Sequence, residues 1–302
     1  MNVQEILQAL KSGDVTVQEA EKLLSIYAIE EVEDYARIDT KRAVRRGGIP
    51  EIILAESKRI HETKEIAKRM LEKEGVAVIS RIKEEDHDGM ISYVKGLGAS
   101  VSTGRNASTI LAHTRPIRQT GATVGILAAG TSDVGIAEEA RIVCEAMGCR
   151  CITGYDVGVA GLQRIFPMLK EMTGAGVGCV IVVAGMEGAL ATLVSSLMDV
   201  PVIGVPTSVG YGYGQGGVAA LASMLQSCSL GMAVVNIDGG AAAGSIASMI
   251  ANRGRKTTPR GGGKGEDGGA GRGGGGDGDT GVGAGGTRRP WPDAKRRHSR
   301  KS

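Results

Sequence analysis

A chain of 302 residues with 42% hydrophobic side chains and a formal charge of +3 carries enough apolar material for one or two domains. The charge is unevenly placed: residues 253–302 hold 13 Lys/Arg and 5 Asp/Glu out of 36 and 33 in the whole chain, so residues 1–252 are net acidic. An acidic body argues against a specific nucleic-acid partner. No apolar run approaches the roughly 18 residues of a spanning helix, and the opening MNVQEILQALKSGDV is polar and amphipathic rather than a leader, so a cytoplasmic protein without a membrane segment is expected. Five cysteines, at 144, 149, 151, 179 and 228, without C-x-x-C spacing, fit neither a disulfide framework nor a zinc site.

In chain order, residues 3–28 predict a helical hairpin, with Thr16 and Glu19 forming a T-x-x-E capping box ahead of AEKLL. IPEIIL, VAVIS and STILAHT predict strands, HETKEIAKRMLEKEG a helix closed by glycine, and residues 86–98 a second helix. Residues 1–118 therefore form a helical arm and a small α/β unit. From Thr123 five apolar runs alternate with five helical stretches: TVGILAAG, CRCITGYD, GCVIVVAG, VPVIGVP and MAVVNIDGG each pass into a glycine-containing loop and then a helix. That rhythm predicts, over 119–252, a three-layer parallel sheet with helices on both faces and right-handed crossovers. Ligands bind such sheets at the carboxyl ends of the strands. Residues 253–302, rich in Gly and Arg, lack the apolar content to offset chain entropy and are expected to be a disordered tail.

The loops hold the candidate chemistry. Gly130, Thr131, Ser132 and Asp133 precede a helix, whose free N–H groups and dipole suit a phosphate; Asp133, repelled by that phosphate, suits a ribose hydroxyl. Simple N-capping is the structural alternative. Tyr155 and Asp156 end the second run, and Asp156 is either a working carboxylate or a cap for the helix that follows. Glu187, between Gly185-Met186 and Gly188, is a candidate general base or a first-turn carboxylate favoured by the helix dipole. Ser208 and Gly210 lie in SVGYGYGQGG, a loop able to bring backbone close to a ligand. Cys228 differs from the other cysteines in ending a helix between two serines; a helix C-terminus does not activate a thiol, so a nearby cation is needed. Cys149 and Cys151 are assigned to packing.

The runs GTSD, YDVGVAGLQR (155–164), VVAGMEGAL (182–190), PTSVGYG (206–212), MLQSC (224–228) and NID, with RIDTKRAVRRGGIPEIILAESK at 37–58, resemble the PurE superfamily of aminoimidazole ribonucleotide carboxylases and mutases, and more closely its LarB branch. That branch makes pyridinium-3,5-biscarboxylic acid mononucleotide for the nickel-pincer cofactor. The resemblance implies carboxylation of the pyridinium ring of nicotinic acid adenine dinucleotide and hydrolysis of its pyrophosphate. It implies a Cys228 nucleophile, a Glu187 proton acceptor, carbon dioxide or bicarbonate as co-substrate, and a PurE-like homo-octamer. No tightly bound cofactor is implied; the metal requirement is open, with Mg2+ the candidate for the pyrophosphate step. The histidines of PurE are missing, the two places reading GYDVG and EGALA, and Ala191 and NIDGGAAAG depart from the LarB pattern. Two competing expectations are a nucleotide-binding regulatory module without turnover and a PurE-type mutase.

Overall fold

The computed structural model describes residues 2–24, 29–32, 36–39, 42, 47–106 and 108–256. By contacts the chain divides at Pro259, and the tail from 257 onward lies outside the described residues. The arm is a hairpin of α1 (Val3–Ser12) and α2 (Val17–Leu24). Gly13 closes α1 in the left-handed conformation, and Thr16 and Glu19 make the expected box, with Glu19 N donating to Thr16 Oγ1 at 3.2 Å and Thr16 N to Glu19 Oε2 at 2.8 Å.

An antiparallel pair, β1 (Ile29–Val32) and β2 (Ala36–Asp39), follows. Then come β3 (Ile52–Leu54), α3 (Ile60–Lys73), β4 (Val76–Ser80), α4 (Glu84–Gly96), β5 (Ser100–Thr103) and β6 (Ile110–His113). They form a four-stranded sheet of order β3-β4-β6-β5, parallel only between β3 and β4. Side chains alternate across a strand. Ala77, Ile79, Ile110 and Ala112 therefore pack with Ile66, Met70, Met90 and Val94 of α3 and α4, while Val78 and Leu111 face the other way.

The second sheet contains β7 (Thr123–Ala128), β8 (Arg150–Gly154), β9 (Cys179–Ala184), β10 (Val202–Pro206) and β11 (Met232–Val234), alternating with α5 (Val134–Ala146), α6 (Ile165–Gly174), α7 (Ala189–Leu197), α8 (Val218–Leu225) and α9 (Gly240–Lys256). All pairings are parallel, in the order β8-β7-β9-β10-β11. Val124, Ile126, Ile181, Val183 and Ile203 pack on α5 and α9, and Leu127, Ile152, Val180, Val182 and Val202 on α6, α7 and α8. The expected three-layer sheet is thus present. In sequence order it runs 2-1-3-4-5, the flavodoxin-like winding, whose switch point lies between β7 and β9.

Helix α5 is covered on two sides. Its Ala137, Ala140 and Cys144 meet the parallel sheet, while Ile142, Val143 and Met147 meet Val78 and Leu111 of the first sheet. The two units expected on either side of residue 118 therefore share a hydrophobic core. Helix α9 runs through Lys256, so the chain is still helical at 253–256, beyond the boundary drawn at 252. Its glycines permit close packing on α5: a Cβ on Gly244 would lie 2.6 Å from the Ala140 carbonyl oxygen. Among the described residues no helix is long and apolar enough to cross a membrane.

Candidate active site

The loops leaving β7 and β9 flank the switch point and enclose a cavity of about 310 Å³. Gly130, Ser132, Asp133, Gly185, Met186 and Glu187 line it together with Val159, Leu190 and Val209. Six residues singled out in the sequence are thus brought together by the sheet order, which carries two loops remote in sequence onto adjacent strands.

Asp133 does a different job from the one expected of it. It is buried, 4% exposed, with Oδ2 accepting from Gly130 N at 2.9 Å and Oδ1 from the Thr207 hydroxyl at 2.7 Å. Each oxygen holds a protein donor, so the carboxylate ties the loop after β7 to the one after β10 instead of facing out toward a ribose. Burial pushes its carboxyl above the usual range, although the Thr207 hydroxyl and the Gly130 and Gly185 N–H groups favour the charged form. Thr207 had no local sequence signal; it is found only by asking what donates to a buried Asp.

The loop after β9 is fused to the same assembly. Met186 N donates to Val209 O at 3.1 Å, and Thr207 N to Ala184 O at 3.1 Å. Met186 takes φ +52° and Gly188 φ +67°, which turn the chain sharply into α7. Gly188 is the N-cap and no side chain caps the helix. Glu187 thus lies ahead of the cap rather than in the first turn: it is exposed, lines the cavity, and holds no hydrogen bond or ion pair among the described residues.

Other candidates lie elsewhere. Thr131 and Gly188 flank the cavity without lining it, and Gly210 folds the loop after β10 back on Gly214. Ser208 lines a second cavity, of about 420 Å³, with Ser132 and Val209 common to both. Asp156, at φ +59°, neither caps a helix nor lines either cavity; it pairs with Arg164 at the surface. Tyr155 turns its hydroxyl to Glu138. Burial and that carboxylate hold the phenol well above its usual range. Glu138, 5% exposed, also accepts from Arg105 N at 3.2 Å and from Arg141 Nε at 2.8 Å, and Arg141 Nη2 reaches Thr103 O at 3.1 Å. Tyr155 therefore belongs to a network that fastens α5 to the first sheet.

Cys228 is the largest departure. Helix α8 runs from the carboxyl edge back to the amino edge, and the turn after it leads into β11: Gly231 O accepts from Val202 N at 3.0 Å, at the start of β10. Thr192 Oγ1 donates to Ser227 Oγ at 3.0 Å, and Ser195 Oγ to Leu230 O at 3.2 Å. These bonds hold the turn that carries Cys228 against the middle of α7, and Cys228 lines neither cavity. It is exposed. By contrast Cys149 is buried in the core under α5 and α9, Cys151 packs against that core, and burial raises the Cys179 thiol to about 12.

Residues 123–260 match the AIR carboxylase family and residues 29–114 the LarB/PurE-like N-terminal domain. The chain is also 41% identical to an uncharacterized protein of Methanocaldococcus jannaschii over 255 residues, covering 83% of this chain and 97% of that relative. The chain belongs to the LarB-type branch of the PurE superfamily. The two family domains together point to a carboxylase-type function, and the chain's N-terminal sheet is part of the LarB-type design rather than an unrelated addition. Neither cavity is lined by a histidine. Among the described residues no group of three or more His, Cys, Asp or Glu side chains is arranged to hold a metal ion.

Proposed function

We propose that this LarB-type chain carboxylates the pyridinium ring of nicotinic acid adenine dinucleotide and hydrolyses its pyrophosphate, releasing AMP and the biscarboxylated mononucleotide. The observation that carries the reading is Glu187, a carboxylate without a partner among the described residues, beside a largely apolar cavity at the switch point. A flat ring fits such a cavity, and an unengaged carboxylate is available to take its proton. Neither of the two cavities presents a histidine for a PurE-type shuttle.

The chemistry begins with addition of a thiolate to the ring carbon next to the quaternary nitrogen. The sulfur pair forms the S–C bond and ring electrons move to nitrogen, giving an enamine. The adjacent carbon attacks carbon dioxide. Glu187 then removes that carbon's proton, the C–H pair restores the ring double bond, and sulfur leaves as thiolate. The substrate's positive charge favours the thiolate. Because Cys228 sits in the turn after α8, outside the cavity that Glu187 lines, we take the thiol for each site from a second copy. Leu225 and Leu230, on either side of Cys228, are 66% and 92% exposed, as suits a turn that packs against another subunit.

The test is incubation of the purified protein with nicotinic acid adenine dinucleotide and 13C-bicarbonate. Expected are AMP and a mononucleotide heavier by one labelled carboxylate; cleavage without label, or no turnover, contradicts the reading.

A further inference from the structure

The 420 Å³ cavity is roofed by the N-terminal unit. Arg81 at the end of β4, Glu56 after β3 and Asn106 after β5 face Ser132, Ser208 and Asp238 from the loops of the parallel sheet. Its backbone is unusual. Of the five non-glycine described residues with left-handed φ, Arg81 (+57°), Asn106 (+53°) and Asp238 (+55°) all line it. Such conformations persist where the surrounding structure over-determines them and cluster at ligand sites, although Asn and Asp adopt them more readily than Arg.

Arg81 is ion-paired with Glu56 and lies near Glu139, and it keeps donors to spare. Its Nη1 donates to Glu56 Oε2 at 3.1 Å and its Nη2 to the Asp238 carbonyl at 3.2 Å, which leaves three of a guanidinium's five donors for a ligand. The side chain is 41% exposed. The side chains of Asn106, Ser132 and Ser208 hold no hydrogen bond among the described residues. Asp238 is fixed through Oδ1, which accepts from Ser208 N at 2.8 Å. The cavity thus offers one guanidinium and several hydroxyl and amide donors beside three carboxylates, Glu56, Asp238 and Glu139, the last already engaged with Ser80 Oγ and Ala241 N. A bare anion has no use for those acceptors, and a bare cation leaves the guanidinium, hydroxyl and amide donors without a partner. A sugar phosphate uses both: the phosphoryl group accepts from the donors and the ribose hydroxyls donate to the carboxylates.

We propose that this cavity binds a nucleoside monophosphate, with Arg81 of the N-terminal unit as its phosphate-binding cation. The assignment rests on the dinucleotide reading: Ser132 and Val209 border both cavities, so one ligand spans them, its pyridinium half beside Glu187 and its AMP half under Arg81. The N-terminal unit then binds the half of the substrate that leaves.

The experiment is calorimetric titration of the full chain with AMP and, separately, with nicotinic acid mononucleotide. Arg81→Gly is the chosen variant because glycine takes φ +57° without strain. Its AMP dissociation constant should rise about tenfold or more while that for the mononucleotide stays within about threefold. Glu56→Gln, which frees the guanidinium, should bind AMP at least as tightly as the parent. Unchanged AMP binding in Arg81→Gly, or equal loss of both ligands, overturns the proposal. If that variant does not fold, Ser208→Ala must weaken AMP selectively or the proposal fails. Arg81-dependent AMP binding in a protein that makes no product retains the cavity assignment and removes the carboxylation reading. Product formation with AMP binding indifferent to Arg81 does the reverse.

Discussion

Replacing Gly185 by alanine tests how the active-site loops are joined. A Cβ there would lie 2.3 Å from the Val209 carbonyl oxygen and 2.7 Å from Thr207 Oγ1, whereas carbon and oxygen normally approach to about 3.3 Å. The Val209 oxygen is backbone, so the loop after β10 must retreat by about 1 Å. At stake are the Met186–Val209 and Thr207–Ala184 bonds, both 3.1 Å, and the 2.7 Å Thr207–Asp133 bond. Overpacking of this kind costs about 1–3 kcal/mol and each weakened hydrogen bond about 1 kcal/mol, so Gly185→Ala should destabilise by about 2–4 kcal/mol and abolish turnover. In urea at fixed protein concentration the midpoint should fall by about 1 M or more. Gly130→Ala is the control: the nearest atom to its Cβ is Asp133 Oδ2 at 3.5 Å, and the change should stay within about 0.5 kcal/mol. A Gly185→Ala protein as stable and active as that control would refute the fused-loop account.

Three further outcomes are expected. Glu139, 4% exposed, accepts from Ser80 Oγ and from Ala241 N and is held above its ordinary pKa of 4.5 chiefly by burial. Its contribution to stability is therefore full below pH 4.5 and lost as pH rises through the raised value; Glu139→Gln should gain stability relative to the parent between pH 4.5 and 8, and parallel pH profiles would count against this. Cys228→Ser should leave the melting temperature within about 2 °C, the thiol being exposed, yet lose at least about 100-fold in turnover; retained turnover would remove the covalent step. Deleting residues 260–302, which hold one Val, one Trp and three Ala as apolar side chains, should leave stability and turnover unchanged, and aggregation of the truncated protein would show that the segment packs.

The parallel sheet was legible because strands buried on both faces are continuous apolar runs, and each ran into a glycine-containing turn. The strand order was not, since β7 chooses β8 and β9 as neighbours by packing that no local pattern encodes. The hairpin of β1 and β2 and the strand β5, SVST, escaped notice because short strands with polar positions do not alternate clearly. Glu138 and Glu139 carry no local sign of burial in the sequence, yet both are buried because a second sheet lies over α5; their partners Arg105, Ser80 and Ala241 are remote in sequence. Asp133 was recognised as important, but its donor Thr207 lies 74 residues away, and without that donor its direction could not be inferred. The placement of Cys228 was readable in principle. If loops after strands gather at the carboxyl edge, turns after helices gather at the amino edge, and Cys228 follows a helix.

That separation gives the most direct measurement of the central claim, that Glu187 and Cys228 serve one ring from two copies. Cys228→Ser and Glu187→Gln are each expected to be inactive. After the two are dissociated, mixed in equal amounts and reassembled, one site in four should combine an intact carboxylate with an intact thiol, restoring about a quarter of the parent's carboxylation rate. A mixture as inactive as its two components, from protein shown to have exchanged subunits, would contradict the account.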